Sequence, residues 1–431
     1  MALSKKFSVI IEPSAFVGNI TVNPSKSHLH RLLICAALSD KESFIDCAHT
    51  DAEDIKATIG CLSALGAKIE YCKSGFEVSP LKCDKLPARC ILPCGESGTT
   101  LRFMLPVASA LGVSGEFHLG GRLPQRPMAP LENELTKAGV LIYRPKPDVI
   151  CIKGKLSSGG FHLPGNISSQ YISGLLLALP LLNTDSTLTV WEPVESKNYI
   201  SMTLKTLKSF AVNITECSNC YNIPGRLSFQ SPLNLSCEGD WSNSAFWAVA
   251  AAMKGTHMQL SGLNKASCQG DRQITAILEQ IGVRLHWDKN ILVISEGERQ
   301  AIEVDASNIP DLIPPLAALA AISEGCTMIK NASRLRFKES DRLSSIRNCL
   351  SALGALVSET PDGLVIQGVP HLKGGIVDSY GDHRIAMMAA VASSACTEPV
   401  TIKNAHAVNK SYPDFFTKLA EIGKNLEVHY E

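Results

Sequence analysis

Several cationic side chains stand beside glycine, proline or hydroxyl residues rather than on regular helix faces, which is typical of binding loops. They are Lys26, Arg31, Arg126, Lys338, Arg342, Arg384 and Lys410. Arginine forks suit carboxylates and phosphates, while lysine provides a point charge or a proton. Two acids stand among them: Asp311 follows Ile309-Pro310, and Glu339 lies between Lys338 and Arg342. If both acids face an anion site, they are candidates for a general base and a general acid.

Each of these residues also has an ordinary interpretation. A single cation is more often a solvated surface charge, Asp311 could simply cap a helix, and Glu339 could pair with Arg342 three residues later. The residue types alone leave both interpretations open.

Other chemistries have no support in the sequence. It contains no GxxxxGK[ST] loop, no GxGxxG after a strand and no GxSxG elbow. No cluster has metal-ligand spacing, and the CxxC pair of Cys217 and Cys220 has no second pair to complete a zinc site. We therefore expect neither a metal nor a redox cofactor.

A repeated pattern predicts the elements that position these residues. Six segments combine a helix end with a following strand, and their stop residues recur every 69 to 73 positions: Gly66, Gly139, Ala211, Gly282, Gly354 and Gly423. Glycine is expected there because it adopts a left-handed conformation at little cost. Six units of about 72 residues account for the chain, and because each alternates strands with two helices, the pattern predicts an α/β fold.

A second series has the same period and marks where apolar helices begin. Polar clusters open at Ser27, Ser97, Ser168, Ser242, Asp311 and Asp382, each followed by a largely apolar run. Such helices must be buried, and their free N–H groups and positive dipole ends favour phosphate or carboxylate.

Composition limits the possible partners. The 431 residues are 45% hydrophobic and 19% charged with zero formal net charge, which predicts two globular domains without an overall attraction for nucleic acid or anionic lipid. No apolar run is long enough to span a membrane, and the segment MALSKKFSVI lacks the features of a secretory signal. Fifteen scattered cysteines fit a reduced, cytoplasmic protein.

Eight motifs in register resemble one family. PSKSHLHR, GESGTTLR, RPM, SSQ, SKNY, KESDR, GDHR and NKSYPDFF are similar to the 5-enolpyruvylshikimate-3-phosphate synthases (3-phosphoshikimate 1-carboxyvinyltransferases), and the resemblance covers essentially the whole chain. It implies a two-domain inside-out α/β barrel of six βαβαββ-type units, with the active site in the cleft between the domains. Residues 24–237 would form one domain, and residues 1–23 with 238–431 the other, completed by the N-terminal strand.

The resemblance also implies a reaction. This family transfers the enolpyruvyl group of phosphoenolpyruvate to the 5-hydroxyl of shikimate 3-phosphate and releases phosphate, a step of the shikimate pathway towards chorismate and aromatic amino acids. It would use no cofactor and act as a monomer, and glyphosate would be an inhibitor because Gly98 keeps the donor loop small.

Roles carry over motif by motif. Asp311 would accept a proton and Glu339 donate one, with Lys26 and Lys410 sharing the transfers. The implied shikimate 3-phosphate contacts are Lys26, Ser27, Arg31, Ser168, Ser169, Gln170, Ser196, Tyr199, Asp311 and Lys338. The implied phosphoenolpyruvate contacts are Lys26, Gly98, Arg126, Gln170, Arg342, Arg384 and Lys410.

Three positions depart from the family pattern, and two other interpretations exist. Glu96 and Arg334 replace the usual asparagines, and Asn198 replaces a proline. The related UDP-N-acetylglucosamine enolpyruvyl transferases place a reactive cysteine where this chain has Arg122. A non-catalytic anion-binding protein on the same scaffold would have no use for acids such as Asp311 and Glu339.

Overall fold

The structure is a computed structural model that describes residues 6–254, 257–295, 297–423 and 426–430. Residues 1–5, part of the segment predicted to lack a secretory signal, lie outside these ranges. No helix in the described ranges combines the length and the apolar character needed to cross a membrane.

Helices and strands alternate along the whole described chain. The described helices are α1 (Lys26–Ala37), α2 (Glu53–Ala64), α3 (Gly98–Leu111), α4 (Ala129–Lys137), α5 (Ser169–Ala178), α6 (Lys197–Ser209), α7 (Trp241–Met253), α8 (Ile274–Ile281), α9 (Ile313–Ala320), α10 (Arg342–Ala352), α11 (His383–Ala392) and α12 (Phe415–Ile422).

The first described strands are β1 (Phe7–Ile11), β2 (Gly18–Thr21), β3 (Ser43–Asp46), β4 (Lys68–Cys72), β5 (Gly75–Ser79), β6 (Arg89–Gly95), β7 (Ser114–Leu119), β8 (Leu141–Lys146), β9 (Val149–Lys153), β10 (Gly160–Pro164), β11 (Ser186–Trp191), β12 (Thr215–Cys217), β13 (Cys220–Ile223) and β14 (Leu235–Ser236). They are followed by β15 (Met258–Ser261), β16 (Arg284–Asp288), β17 (Ile291–Ser295), β18 (Glu303–Asp305), β19 (Cys326–Lys330), β20 (Leu356–Thr360), β21 (Gly363–Gln367), β22 (Gly375–Asp378), β23 (Val400–Lys403) and β24 (Leu426–Tyr430).

All six repeats build the same sheet. The described strands form six four-stranded sheets, with the orders β14-β3-β5-β4, β6-β7-β9-β8, β10-β11-β13-β12, β2-β15-β17-β16, β18-β19-β21-β20 and β22-β23-β1-β24. In each sheet the first two strands are parallel and the other pairings are antiparallel, as in β6, β7, β9 and β8. In four of the sheets the parallel strands are consecutive and are joined by a crossover helix, which gives the pattern βαβαββ. In the other two, β14 with β3 and β2 with β15, the parallel partner comes from a distant part of the chain.

The chain divides into two compact units. We call residues 24–237 the central unit and residues 1–23 with 238–431 the terminal unit. Each unit holds three of the six sheets, three of the helices that open a repeat and its own hydrophobic core.

The opening helices are buried, as their apolar sequences predict. In the central unit, α3 is buried without interruption from Thr100 to Ala110. In the terminal unit, every residue of α7, α9 and α11 is buried. Only the beginning of such a helix can present polar groups to a ligand.

The terminal unit takes two strands from the start of the chain, where the family resemblance implied one. β2 pairs with β15 in parallel, while β1 lies between β23 and β24 and is antiparallel to both. The central unit is closed in a related way, because β14 pairs with β3 in parallel.

The helix-stop residues follow the predicted conformation with one exception. Gly66, Gly139, Gly282 and Gly354 have positive φ, and Ala211 adopts φ +60° despite its Cβ. The prediction is wrong for Gly423, which has φ −108°. A Cβ at Gly423 would lie 2.8 Å from Phe16 Cε1, so glycine is needed there for space.

The polar clusters provide helix caps, but the capping residue is not always the predicted one. Ser97, Ser168 and Asp382 cap α3, α5 and α11. The first cluster caps α1 through Ser25 rather than Ser27, and the fourth caps α7 through Asp240 rather than Ser242. Asp311 is not the N-cap of α9, which begins two residues later with Leu312 at its N-cap.

Candidate active site

The terminal unit gathers three carboxylates around one buried guanidinium. Arg342 is 1% exposed; its Nη1 lies 2.8 Å from Asp311 Oδ1, its Nη2 2.7 Å from Glu339 Oε2, and its Nε 2.8 Å from Asp382 Oδ2. Burial disfavours the charge, but Asp382, Glu339 and Asp311 outweigh it and raise the pKa of Arg342. The two predicted acid–base residues are therefore held by one permanent cation.

Asp311 also faces a second arginine. Arg384 Nε lies 3.3 Å from Asp311 Oδ1, and Arg384 Nη1 donates to the Asp311 carbonyl at 3.3 Å. Burial alone would raise the pKa of Asp311, but the charges of Arg384, Lys338 and Arg342 hold it well below its ordinary value. Asp311 is thus ionised at neutral pH and does not serve as a helix cap.

Glu339 contacts Arg342 as its spacing of three residues predicted, so the ordinary ion-pair interpretation is correct for this contact. Its side chain is 17% exposed, whereas that of Asp382 is fully buried. Of these two partners of Arg342, Glu339 is therefore the one that solvent or a substrate can reach.

Lys338 lies among the same charges. Burial, opposed by Asp311 and assisted by Arg342 and Arg334, lowers its pKa to about 8. Arg334 is buried, and its Nη2 donates to the Ser307 carbonyl, so part of its guanidinium has a structural role.

Lys410 reaches the loop that precedes α11. It is 7% exposed, and its Nζ donates to the Gly381 carbonyl at 2.9 Å. Gly381, Asp382 and Arg384 belong to one GDHR motif, so this motif links Lys410 to the carboxylates around Arg342.

In the central unit, Lys26 is the first residue of α1 and pairs with an acid from α2. Its Nζ lies 2.6 Å from Asp54 Oδ2, and both side chains are largely buried. Ser27 follows in the first turn of α1, where its carbonyl accepts from Arg31 Nη1 at 2.6 Å.

Arg31 is buried inside this unit, surrounded by neutral acceptors. Its Nε donates to Thr203 Oγ1 at 2.8 Å, and its Nη2 donates to the Tyr199 carbonyl at 3.0 Å. The guanidinium also lies 4.9 Å from the centre of the Phe103 ring. Arg31 thereby joins α1 to α6 and positions Tyr199, which is half-buried.

Two guanidiniums approach the beginning of α3 where Gly98 stands. A Cβ at Gly98 would lie 2.6 Å from Arg102 Nη1 and 2.8 Å from Arg126 Nη1. Any side chain at this position would push them away, so glycine allows both cations to reach the helix N-terminus.

The side-chain amide of Gln170 is fixed at both ends. Arg102 Nη1 donates to Gln170 Oε1 at 2.8 Å, and Gln170 Nε2 donates to Thr99 Oγ1 at 2.8 Å. These bonds tie the start of α5 to the start of α3, and so bring Gln170 together with Gly98 and Arg126.

The predicted serines lie at helix starts. Ser168 accepts from the Gln170 N–H at 3.3 Å, and Ser169 is the first residue of α5. Ser196 precedes α6 in a left-handed conformation, with φ +55° and no side-chain capping bond. Strain of this kind at a non-glycine residue is frequent at functional sites.

Glu96, the acid that departs from the family pattern, is exposed and turned towards a glycine pair. A Cβ at Gly121 would lie 2.5 Å from Glu96 Oε2, and one at Gly120 would lie 3.3 Å from Glu96 Cγ. The carboxylate therefore rests against the Gly120–Gly121 turn.

Three residues that contact the predicted set were not predicted to do so. Asp54 looks like an ordinary acid in the first turn of a helix, and nothing in the sequence connects it with Lys26. Arg102 and Asp382 lie inside the motifs GESGTTLR and GDHR, so the sequence could have indicated that they belong to the site. No group of three or more potential metal ligands lies within the described ranges.

Comparisons with known proteins identify first the class of fold. An enolpyruvyl transferase from Streptomyces tendae, NikO, superposes with a TM-score of 0.78 at 18% identity, covering 99% of this chain and 100% of that one. An EPSP synthase from Acinetobacter baumannii superposes with a TM-score of 0.79 at 26% identity, covering 99% of this chain and 100% of that one. The fold is that of the enolpyruvyl transferases, the two-domain inside-out α/β barrel that the resemblance implied.

The sequence then identifies the family within that class. The family model for EPSP synthase (3-phosphoshikimate 1-carboxyvinyltransferase) matches residues 10–419. A 3-phosphoshikimate 1-carboxyvinyltransferase from Clostridium novyi is 40% identical over 428 residues, spanning 96% of this chain and 97% of the relative. One from Clostridium perfringens is 41% identical over 425 residues, spanning 97% and 99%. The chain belongs to the EPSP synthase family, as its motifs predicted.

Proposed function

We propose that this chain transfers the enolpyruvyl group of phosphoenolpyruvate to the 5-hydroxyl of shikimate 3-phosphate and releases phosphate, within the shikimate pathway. The observation that carries the proposal is the Arg342 guanidinium, which holds the carboxylates of Asp311 and Glu339 at 2.8 and 2.7 Å. An addition–elimination needs one group that accepts the hydroxyl proton and one that protonates the methylene carbon. Binding alone would need neither acid.

In this mechanism Asp311 accepts the proton of the 5-hydroxyl. In the free protein its pKa is held low by the surrounding cations. The phosphates and carboxylates of the substrates neutralise such cations on binding, so the affinity of Asp311 for a proton rises when both substrates are present. The base therefore becomes effective only in the complex that reacts.

Glu339 donates a proton to the methylene carbon in the addition. The resulting methyl group gives up a proton when phosphate leaves and the double bond reforms, and Lys26 and Lys410 share the proton transfers. Arg342, Arg384 and Lys410 bind the phosphoenolpyruvate anion, together with Lys26, Arg126, Gln170 and the backbone of Gly98. Fixed cations in a buried setting stabilise the phosphate as it leaves.

The acceptor is held mainly by hydroxyls. Ser168, Ser169 and Ser196 bind the phosphate of shikimate 3-phosphate together with Lys338, and Arg31 recognises its carboxylate. The remaining contacts are Lys26, Ser27, Gln170, Tyr199 and Asp311. The serine N-cap and left-handed Ser196 support this assignment, because both leave hydroxyls at helix starts, where phosphate is favoured.

We further propose that the central and terminal units are two globular domains, and that the protein acts as a cytoplasmic monomer without a nucleic-acid partner. Zero formal net charge supports the absence of a nucleic-acid partner. Fourteen cysteines within the described ranges are thiols rather than disulfides, which supports a reducing compartment. Light scattering coupled to size exclusion checks the monomer, and a dimer mass would contradict it.

A coupled assay tests the proposed reaction. Phosphate release from phosphoenolpyruvate should depend on shikimate 3-phosphate and should not occur with UDP-N-acetylglucosamine. Release with the sugar nucleotide, or no release with either acceptor, would overturn the proposal. Glyphosate should compete with phosphoenolpyruvate in this assay, because Gly98 places no side chain in the donor loop.

A further inference from the structure

A chain of hydrogen bonds crosses three helices of the central unit and ends at the N-cap of α3. His30 Nδ1 on α1 lies 2.7 Å from Thr58 Oγ1 on α2. Thr58 Oγ1 lies 2.7 Å from Thr100 Oγ1 on α3, and Thr100 Oγ1 lies 2.7 Å from Ser97 Oγ. His30, Thr58 and Thr100 are fully buried. We call this chain the His30 relay.

The hydrogen bonds of Thr100 determine which atom donates at each step of the His30 relay. The Thr100 hydroxyl donates to Ser97 Oγ, and its second acceptor is the Asp54 carbonyl at 3.3 Å, which can only accept. Its single proton is therefore directed away from Thr58, and its lone pair faces the Thr58 hydroxyl. Thr58 must donate to Thr100, so His30 Nδ1 must carry a proton and donate to Thr58.

The surroundings of His30 favour the neutral imidazole. Burial, followed by the charges of Lys26 and Arg31 on its own helix, holds the pKa of His30 well below its ordinary value. Of the helices packed around α1, α2 carries Glu53, Asp54 and Lys56, and α6 carries Lys197, Lys205 and Lys208. Arg102 lies on α3. Asp54 is bonded to Lys26, and Arg102 is bonded to Gln170. The Nε2 atom is buried and has no hydrogen-bond partner among the described residues.

The His30 relay ends at groups that the proposed function uses. Ser97 Oγ accepts the Thr100 N–H and so sets the first turn of α3, where Gly98 stands. The residue whose carbonyl accepts from Thr100 is Asp54, and its carboxylate holds Lys26. One imidazole thus anchors the helix start and the lysine assigned to phosphoenolpyruvate.

We propose that His30 is a positioning residue for phosphoenolpyruvate: as the neutral Nδ1–H tautomer it orients the start of α3 through Thr58 and Thr100. The link to phosphoenolpyruvate rests on the proposed function. The tautomer of His30 and the direction of the hydrogen bonds do not depend on it. His30 touches no substrate in this scheme, and it acts through Ser97 and Gly98.

Two substitutions separate the ring nitrogens. The amide of His30→Asn can place an N–H where Nδ1 stands, whereas the amide of His30→Gln lies near the position of Nε2. We expect His30→Asn to retain the wild-type KM for phosphoenolpyruvate. His30→Gln should raise that KM about 3- to 12-fold, the loss expected for one hydrogen bond, with the KM for shikimate 3-phosphate little changed. Equal KM values in both variants would overturn the proposal.

Thr58→Val tests the path. It removes the middle of the His30 relay, so it should raise the same KM, and the double variant His30→Gln/Thr58→Val should be no worse than either single variant. Additive effects would show that the two residues act separately and would overturn the relay.

A measurement on the wild-type protein remains decisive even if the variants fold poorly. Nitrogen-15 NMR of labelled histidine should show His30 protonated at Nδ1, unprotonated at Nε2 and unchanged between about pH 5.5 and 8.5, across the range where free histidine titrates. An Nε2–H tautomer or a normal titration would overturn the inference. Failure of the proposed function is distinguishable, since it would abolish wild-type turnover while leaving this NMR pattern intact.

Discussion

The central and terminal units each contain three copies of the same repeat, but the residues that cap their buried helices differ in charge. In the central unit, α1, α3 and α5 are capped by Ser25, Ser97 and Ser168. In the terminal unit, α7 and α11 are capped by Asp240 and Asp382, and Asp311 precedes α9.

The two kinds of cap leave different charges at the beginnings of the helices. A serine cap is neutral, so the positive end of its helix remains available to a phosphate. An aspartate cap brings its own negative charge, and at α11 Arg342 balances the charge of Asp382. Asp311, which precedes α9, is paired with Arg342 and Arg384. We expect the neutral caps of the central unit to favour bound anions, and the paired charges of the terminal unit to favour proton transfer beside the phosphoenolpyruvate anion.

The sharpest test of this division is removal of the two acids. Asp311→Asn and Glu339→Gln should each lower kcat by about 10²- to 10⁴-fold, because proton transfer loses its acceptor or donor. The coupled phosphate assay measures this. Glu303→Gln, which breaks an exposed ion pair with Lys330 in the same unit, serves as the control and should keep wild-type turnover. Near-normal turnover in both acid variants would contradict the proposed difference in function between the two units.

Buried arginines in the two units should differ in their effect on stability. Arg342→Met removes the cation shared by three carboxylates, of which Asp311 keeps Arg384, and should lower the free energy of unfolding by about 3–5 kcal/mol. Arg31→Met removes a cation whose described acceptors include the Thr203 and Ser173 hydroxyls and the Ser27 and Tyr199 carbonyls, and it should cost about 1–3 kcal/mol. Urea unfolding followed by circular dichroism compares them. If Arg31→Met cost as much as Arg342→Met, the charge contrast between the units would not hold.

The pH dependence of kcat/KM should identify Lys338 as a cation that binds shikimate 3-phosphate. Because the pKa of Lys338 is lowered to about 8, this lysine loses its charge as the pH rises through that value. We expect kcat/KM for shikimate 3-phosphate to fall by roughly tenfold between about pH 7 and 9.5, since kcat/KM reports the free enzyme. Lys338→Arg keeps its charge and should abolish this fall. A fall that persists in the arginine variant would assign the titration to another group.

Serine caps should affect binding more than turnover. Ser168→Ala removes a cap and a proposed phosphate contact, so KM for shikimate 3-phosphate should rise about 3- to 12-fold while kcat changes little. Ser109→Ala removes a buried hydroxyl that donates to the Leu105 carbonyl inside α3, and it controls for general loss of a buried hydroxyl. If Ser168→Ala lowered kcat as much as Asp311→Asn, the central unit would take part in catalysis and the proposed difference between the units would be wrong.

The sequence predicts the repeat and the burial of its helices because both depend on local periodicity. It does not resolve which of several neighbouring polar residues becomes the cap, since Ser25 and Ser27 both have a suitable hydroxyl. Gly423 fails the local rule because its neighbour Phe16 comes from the other end of the chain. A pattern read along the chain has no information on such a contact.

The same limit applies to the site. Asp311, Glu339 and Arg342 stand in recognisable motifs, so their types were predictable, but their meeting at one guanidinium depends on tertiary packing. The partnership of Asp54 with Lys26 joins residues 28 positions apart on two helices, with no sequence feature that pairs them. Asp382 was noticed as a helix start, and its second role beside Arg342 follows only from the fold.

The two strands taken from the start of the chain have a consequence for synthesis on the ribosome. Thr21 of β2 meets Ser261 of β15 only after 240 further residues have been added, and β1 waits longer for β23 and β24. At about 5–20 residues per second, β2 alone waits roughly 12–48 s. The central unit can close its last sheet through β14 in the meantime. The nascent protein therefore carries two unpaired strands while the central unit is already complete, and an early ribosome-bound chaperone would find its binding site on them.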